Sequence, residues 1–257
     1  MSMKLSTIKA DSVAFGTNIM DVEVPDHLRH RVKTGVDYFD DSLGGSGLTP
    51  SAVYLFTGEA GSGKSTMMQL VCDGLTRGGH EAVYVSGEES PFQLKMTAER
   101  LRLKNGFRIA QETRVPNLLE GIDEMREAAE ARGKRLVLVL DSLQTLNDVH
   151  PKYGEDYVNS KTPIRALQLI TDYCKEKHIT AIVIGQVNKD GKFAGNNQLK
   201  HMVDGHLHLS VEKKDKDLEG CRVLEVTKNR FGGAGSIHFL NLKERGFEVV
   251  AKMSAVG

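Results

Sequence analysis

The chain has 257 residues, 40% of them apolar, an ordinary share for a globular protein. Basic and acidic residues number 34 each, so the formal charge is zero. This excludes a protein that coats itself in nucleic acid through bulk charge and leaves room only for a local basic stripe. No apolar run approaches the roughly 18 residues of a membrane span, and MSMKLSTIKADSVAFG lacks the apolar core of a secretory signal, so a cytoplasmic protein without a membrane partner is expected.

Residues 1–33 are polar and weakly patterned, with Phe15, Ile19, Met20 and Val22 as apolar anchors. They read as a flexible arm or linker, or as an arm that docks on a neighbouring subunit. Residues 34–257 read as one α/β domain. Val53–Thr57 is a short apolar run that meets glycine, and a helix is predicted from Lys64 to about Arg77. Ala82–Ser86 is a second strand. Ser90, Pro91 and Gln93 predict a helix start: the serine accepts from open backbone donors, the proline suits the first turn and the glutamine reaches back. Another helix is expected over about 116–132, with Leu118, Leu119, Ile122 and Met125 on its apolar face and Gly133 as its stop. LVLVLD, 136–141, is apolar up to its acid, as in a strand covered on both faces. A polar loop, 147–161, leads to a helix opened by Thr162 and Pro163, and TAIVIGQV, 180–187, is another buried strand. After 205, His206–Val211, Arg222–Thr227, Ser236–Leu242 and Phe247–Val250 are short strands with no helix between them, so this end is expected to be antiparallel.

Gly58, Glu59, Ala60, Gly61, Ser62, Gly63, Lys64, Ser65 and Thr66 fit the phosphate-loop spacing G-x-x-x-x-G-K-[ST], between a predicted strand and a predicted helix. The glycines let backbone N–H groups turn inward around phosphate oxygens, and the helix start adds positive potential. ATP and Mg2+ are therefore expected, with Lys64 reaching the β- and γ-phosphates and Ser65 on the metal. Asp141 ends its strand at the sheet edge where ligands bind in open α/β folds, and should hold the magnesium through water. Glu88 and Glu89 emerge at the same edge. One could polarise a water for attack on the γ-phosphate while the other only favours the next helix start; the reading gives the first role to Glu88 and a solvated one to Glu89. Gln186 also ends a strand there. Its amide could sense the γ-phosphate and inform the loop NKDGKFAGNNQLK, where Lys189, Lys192 and Lys200 could grip a polyanion unless this is an ordinary surface loop.

Lys228 and Arg230, two apart at a strand end, share a face and could address one phosphate. That phosphate would belong to a neighbouring subunit in a ring or filament, because the tail lies away from its own phosphate loop. Spacing alone favours a solvated strand end. His206 and His208 alternate on a strand without an evident third metal ligand. Cys72, Cys174 and Cys221 are too scattered for a zinc site, so no zinc is expected.

TGVDYFDDSLGG (34–45), the phosphate loop, YVSGEES (84–90), LDSLQT (140–145), the segment from Gly185 through HMVD (201–204), and KNRFG (228–232) together resemble the ATPase core of the bacterial RadA (Sms) DNA-repair family. Similarity to DnaB-type helicases and to KaiC follows at lower specificity. The resemblance implies a RecA-like P-loop fold: a mostly parallel central sheet flanked by helices, with an antiparallel C-terminal extension. It implies an ATP-driven motor, a hexameric ring or filament on single-stranded DNA, in recombination or repair. Lys228 and Arg230 would act across the subunit interface, and the loops after Asp141 and Gln186 would line a central channel. Two departures are a four-cysteine zinc motif and a Lon-like domain, which these 257 residues do not include, and Gln186 and Asn188 stand where small polar residues are usual. The competing expectation is a KaiC-like, nucleotide-switched assembly protein that acts on a protein partner without DNA.

Overall fold

A nine-stranded sheet organises the residues that this computed structural model describes, 13–148, 158–187, 197–233 and 235–254. Its strands are β1 Val53–Gly58, β2 Glu81–Ser86, β3 Arg108–Ala110, β4 Leu136–Asp141, β5 Thr180–Gln186, β6 Gly205–Val211, β7 Arg222–Asn229, β8 Ile237–Lys243 and β9 Gly246–Met253. The spatial order is β3-β2-β4-β5-β1-β6-β7-β8-β9. The helices are α1 Asp26–Arg29, α2 Asp37–Ser42, α3 Lys64–Arg77, α4 Pro91–Arg100, α5 Val115–Glu130, α6 Thr162–Glu176 and α7 Asn197–Met202.

The unbroken apolar strands have a simple cause: both faces of the sheet are covered. On one face Tyr54, Phe56, Val137 and Val139 pack with Met67, Met68, Val71 and Leu75 of α3. On the other, Val53, Leu55, Leu138 and Leu140 pack with Leu118 and Ile122 of α5 and Leu167 and Ile170 of α6. α4 begins with the expected reciprocal cap, Ser90 Oγ accepting from the Gln93 N–H at 3.3 Å and Gln93 Oε1 from the Ser90 N–H at 2.8 Å. α5 closes before Gly133, whose φ of 67° is in the left-handed region.

The direction of the sheet reverses one strand later than expected. β6 runs parallel to β1, and the antiparallel part begins with β7. β3 was not anticipated, because three residues carry no periodicity. In the amino-terminal segment Phe15, Ile19 and Met20 are exposed rather than seated on their own chain, whereas Val32 is buried and pairs with Leu48.

This topology separates two ends. The carboxyl ends of β1, β2, β4 and β5 bring Gly58, Ser86, Asp141 and Gln186 to one edge. β7 runs the other way, so Asn229 lies beside Gly205, which pairs with Tyr54 near the start of β1.

α3 is pressed against the turn that precedes α2. A Cβ on Gly74 would lie 2.1 Å from the Thr34 carbonyl oxygen, and Arg77 donates to the Gly35 carbonyl at 2.6 Å. Replacing a helical glycine by alanine ordinarily stabilises by about 1 kcal/mol. Gly74→Ala should instead destabilise, by about 1–3 kcal/mol of overpacking, seen as a lower urea midpoint at unchanged slope.

Candidate active site

The phosphate loop joins β1 to α3. Gly61 and Gly63 have φ of 74° and 102°, and a Cβ on Gly58 would lie 2.4 Å from the Leu209 carbonyl oxygen, so the spacing of these glycines is sterically required. The loop is stitched to its surroundings by Lys213, which pairs with Glu59 at 3.1 Å. Lys64 is buried, and its Nζ donates to the carbonyls of Gly58 at 3.0 Å and Glu59 at 2.8 Å. Burial lowers its pKa, opposed by the nearby Asp141 and Glu88 carboxylates. The ammonium is thus held over the loop with only neutral carbonyls in direct contact, poised for an anion.

Asp141 is buried at the end of β4. Its Oδ2 accepts from Ser65 Oγ at 2.7 Å and from the Tyr84 hydroxyl. Burial raises the Asp141 pKa, and the two hydrogen bonds pull it back. A serine hydroxyl and a carboxylate meeting beside the phosphate loop form a hard-oxygen pair of the kind that suits Mg2+. The Ser62 hydroxyl is buried in the same loop with no hydrogen-bond partner. An ATP–magnesium complex therefore fits the residues present. Among the described residues, no group of three or more His, Cys, Asp or Glu side chains could hold a metal ion by itself.

Glu88 is fixed by its neighbours. Ser142 Oγ donates to Oε1 at 2.6 Å, and Gln186 Nε2 donates to Oε1 at 2.9 Å and Oε2 at 3.2 Å. Gln144 holds Gln186 in turn, accepting from its N–H at 3.2 Å and donating to its carbonyl at 3.4 Å. The structure thus brings Glu88 and Gln186 together with Lys64, Ser65 and Asp141. It corrects the solvated role expected for Glu89: that side chain is half-buried, one carboxylate oxygen is buried without a partner, and burial raises its pKa, reinforced by Asp141 and Glu88. Gly87 and Glu88 are exposed in the turn, whereas Glu89, whose N–H donates to Ser86 Oγ at 2.9 Å, is held half-buried beside Asp141 and Glu88.

Lys228 and Arg230 lie at the other end of the sheet. Lys228 Nζ donates to the carbonyls of Lys200 at 2.7 Å, His201 at 3.4 Å and Val203 at 2.7 Å, gathering the open carboxyl end of α7. Its pKa is lowered by burial and by Arg230. Arg230 pairs with buried Asp204 at 2.9 Å, yet its side chain is 50% exposed. Neither is a merely solvated strand end, and the two flank one corner, as a shared face requires. Of the three lysines expected to grip a polyanion, Lys200 is exposed on α7, while Lys189 and Lys192 lie outside the described residues.

Sequence reasoning missed Tyr84, Ser142 and Gln144, and a network behind the phosphate loop that runs from buried Thr57 and His206 to half-buried His208 and exposed Thr227. Thr57 Oγ1 meets His206 Nε2 and His208 Nδ1, each at 2.8 Å, and His206 Nδ1 meets Thr227 Oγ1. The alternation of the two histidines was the available signal, and it marks a hydroxyl between them. Burial, with lesser contributions from Lys200, His208 and Lys228, pushes the His206 pKa down to about 3.

A family model described as ATPase: KaiC matches residues 32–254. The DNA repair protein RadA of Aquifex aeolicus is 34% identical over 239 residues, 92% of this chain and 50% of that protein. RadA of Bacillus subtilis is 29% identical over 255 residues, 95% of this chain and 52% of that protein. The chain therefore spans about half the length of these curated relatives. Among solved structures, the KaiC-like protein PH0186 of Pyrococcus horikoshii superposes with a TM-score of 0.68 at 20% identity, over 86% of this chain and 99% of that one, a likeness of fold. No described helix is long and apolar enough to cross a membrane.

The low His206 pKa has a testable consequence. Below about pH 6.5 the unfolded chain takes up a proton that the native imidazole refuses until about pH 3. Stability from this site is complete above 6.5 and falls as pH drops through that window, by up to about 1.4 kcal/mol per pH unit. His206→Gln should therefore show a shallower loss of melting temperature between pH 7 and pH 4.5 than the unaltered protein; parallel curves would refute the assignment.

Proposed function

The chain belongs to the KaiC family of ATPases, with a RecA-like core like that of RadA, and from this premise we propose an oligomeric Mg-ATP hydrolase that translocates on or remodels single-stranded DNA in recombination or repair. The observation that carries the assembly is the separation of the two cationic sites. Gly58 and Lys64 lie at the carboxyl end of β1, whereas Lys228 and Arg230 lie beside its start, on the order of 13 Å away at about 3.3 Å per residue. They face away from their own phosphates and are placed to serve a neighbour's, in a ring such as a hexamer or in a filament.

In this reading Lys64 exchanges the Gly58 and Glu59 carbonyls for β- and γ-phosphate oxygens, a charged partner for a neutral one. Magnesium, held by Ser65 with Asp141 behind it, would neutralise charge on the phosphates. Glu88, aimed by Ser142 and Gln186, orients the attacking water and receives its proton; the water oxygen bonds to the γ-phosphorus as the bond to the β–γ bridging oxygen breaks. Gln186 bonds to Glu88 and directly precedes the segment bearing Lys189, Lys192 and Lys200, so its amide is placed to sense the γ-phosphate and inform that segment. The guanidinium of Arg230 spends one of its five donors on Asp204 in the hydrogen bonds described and is half exposed. An arginine presented to a transferring phosphoryl group is worth about 10³–10⁵ in rate.

Lys64→Ala should abolish turnover. Arg230→Ala should lower kcat by at least 10³-fold with ATP binding retained, and turnover per chain should rise with protein concentration. Mixing Arg230→Ala with Glu88→Gln should restore activity, because one supplies intact pockets and the other intact cations; failure to do so rejects action across subunits. Single-stranded DNA should stimulate the ATPase, with affinity falling steeply as salt rises. Full turnover without any single-strand binding would instead favour a nucleotide-switched assembly protein, the reading that the zero net charge leaves open.

A further inference from the structure

The ladder between β6 and β7 slips by one residue at the point where the two cations begin. Leu207 pairs with Val226, but His206 pairs with Lys228, so Thr227 has no residue opposite it. Residues directly opposite one another in an antiparallel pair share a face, and residues two apart on a strand do as well. Leu224 and Val226 point into the core that contains α3, as do Leu207 and Leu209. Continued alternation would send Lys228 into that same core. The extra residue carries it to the opposite face, where α7 packs and Leu199 and Val203 are buried. A bulge that re-aims a side chain in this way is a feature to be explained rather than a defect.

What fixes the slip is also visible. The Thr227 hydroxyl meets His206 Nδ1, and the other nitrogen of that ring, Nε2, meets Thr57 Oγ1 at 2.8 Å. Thr57 is the residue before Gly58, the first of the phosphate loop. A neutral imidazole donates from one nitrogen and accepts at the other, so a single buried ring joins the two hydroxyls with defined polarity.

We propose that Thr227 and His206 are positioning residues for the reaction: the pinned bulge turns Lys228 and Arg230 to the face from which they serve the adjoining subunit, and the ring registers that turn against the strand carrying the phosphate loop. The inference rests on the cross-subunit reading above. It assigns no contact with nucleotide to either residue. The pocket of the same chain keeps its own groups; what is lost without the pin is the pair of cations that would be delivered to the neighbour.

The test uses the full chain, three variants at Thr227, and Glu88→Gln and Arg230→Ala. Thr227→Val keeps shape and strand preference but removes the hydroxyl, and Thr227→Ser keeps the hydroxyl. Thr227→Val should lower kcat at least tenfold with the KM for ATP and the affinity for a fluorescent ATP analogue within twofold, while Thr227→Ser stays within about threefold of the unaltered protein. Mixing Thr227→Val with Glu88→Gln should restore turnover, since each intact pocket then receives cations from a correctly bulged neighbour. Thr227→Ala carries the same comparison if the valine variant melts early. Unchanged kcat in Thr227→Val overturns the inference. So does a loss that Glu88→Gln cannot rescue while it does rescue Arg230→Ala. If Arg230→Ala is not rescued either, the cross-subunit reading itself falls.

Discussion

Asp204 holds together parts of the chain on which everything else depends. It is buried, and its carboxylate accepts from the Val53 N–H at 3.1 Å and pairs with Arg230 at 2.9 Å. Its own N–H donates to the Val53 carbonyl at 2.8 Å, and its carbonyl accepts from the Arg230 N–H at 2.9 Å. The first residue of the central strand and the end of the reversed strand are therefore fastened to one side chain. A carboxylate this deep is tolerable only because it is paired and hydrogen-bonded. The same pairing presents Arg230 with half its side chain still open, so the anchor and the exposed cation are one arrangement.

From that anchor the sheet fixes the distances. The central strands are buried on both faces, and a slip of one residue would exchange the contents of the two cores. The phosphate loop, Asp141, Glu88 and Gln186 converge because four parallel strands end at one edge in register. The reversed strand takes its cations the opposite way. Separation of the two sites is thus a consequence of strand direction, and no loop rearrangement within the chain is needed to account for it.

Much of this was legible in the residues. The glycine–lysine–serine spacing, the apolar run ending at Asp141 and the capping residues of α4 are local signals, and local hydrogen bonding and sterics produced what they indicated. That Gln186 and Glu88 share one edge was legible from two strands ending there; their hydrogen bonds were not. The signals that failed were of another kind. β3 is too short for a period. The parallel pairing of β6 with β1 joins segments about 150 residues apart, so its own sequence could not announce it. The half-burial of Glu89 depends on the path of a turn that the sequence does not specify. The slip at Thr227 is a property of register between strands, and Ser142 and Gln144 matter only because the fold carries them to Glu88 and Gln186. The exposed Phe15, Ile19 and Met20 show that an apolar anchor in sequence need not find its seat on its own chain.

The chain after β5 has one further property. It departs from Gln186, which holds Glu88 at the phosphate edge, and returns through α7, whose final carbonyls Lys228 gathers at the opposite edge. Gln186 and Lys228 thus fix the described chain on either side of residues 188–196 at opposite ends of the strands, so the water-facing end of β5 and the reversed strand β7 are tied to the two ends of one segment.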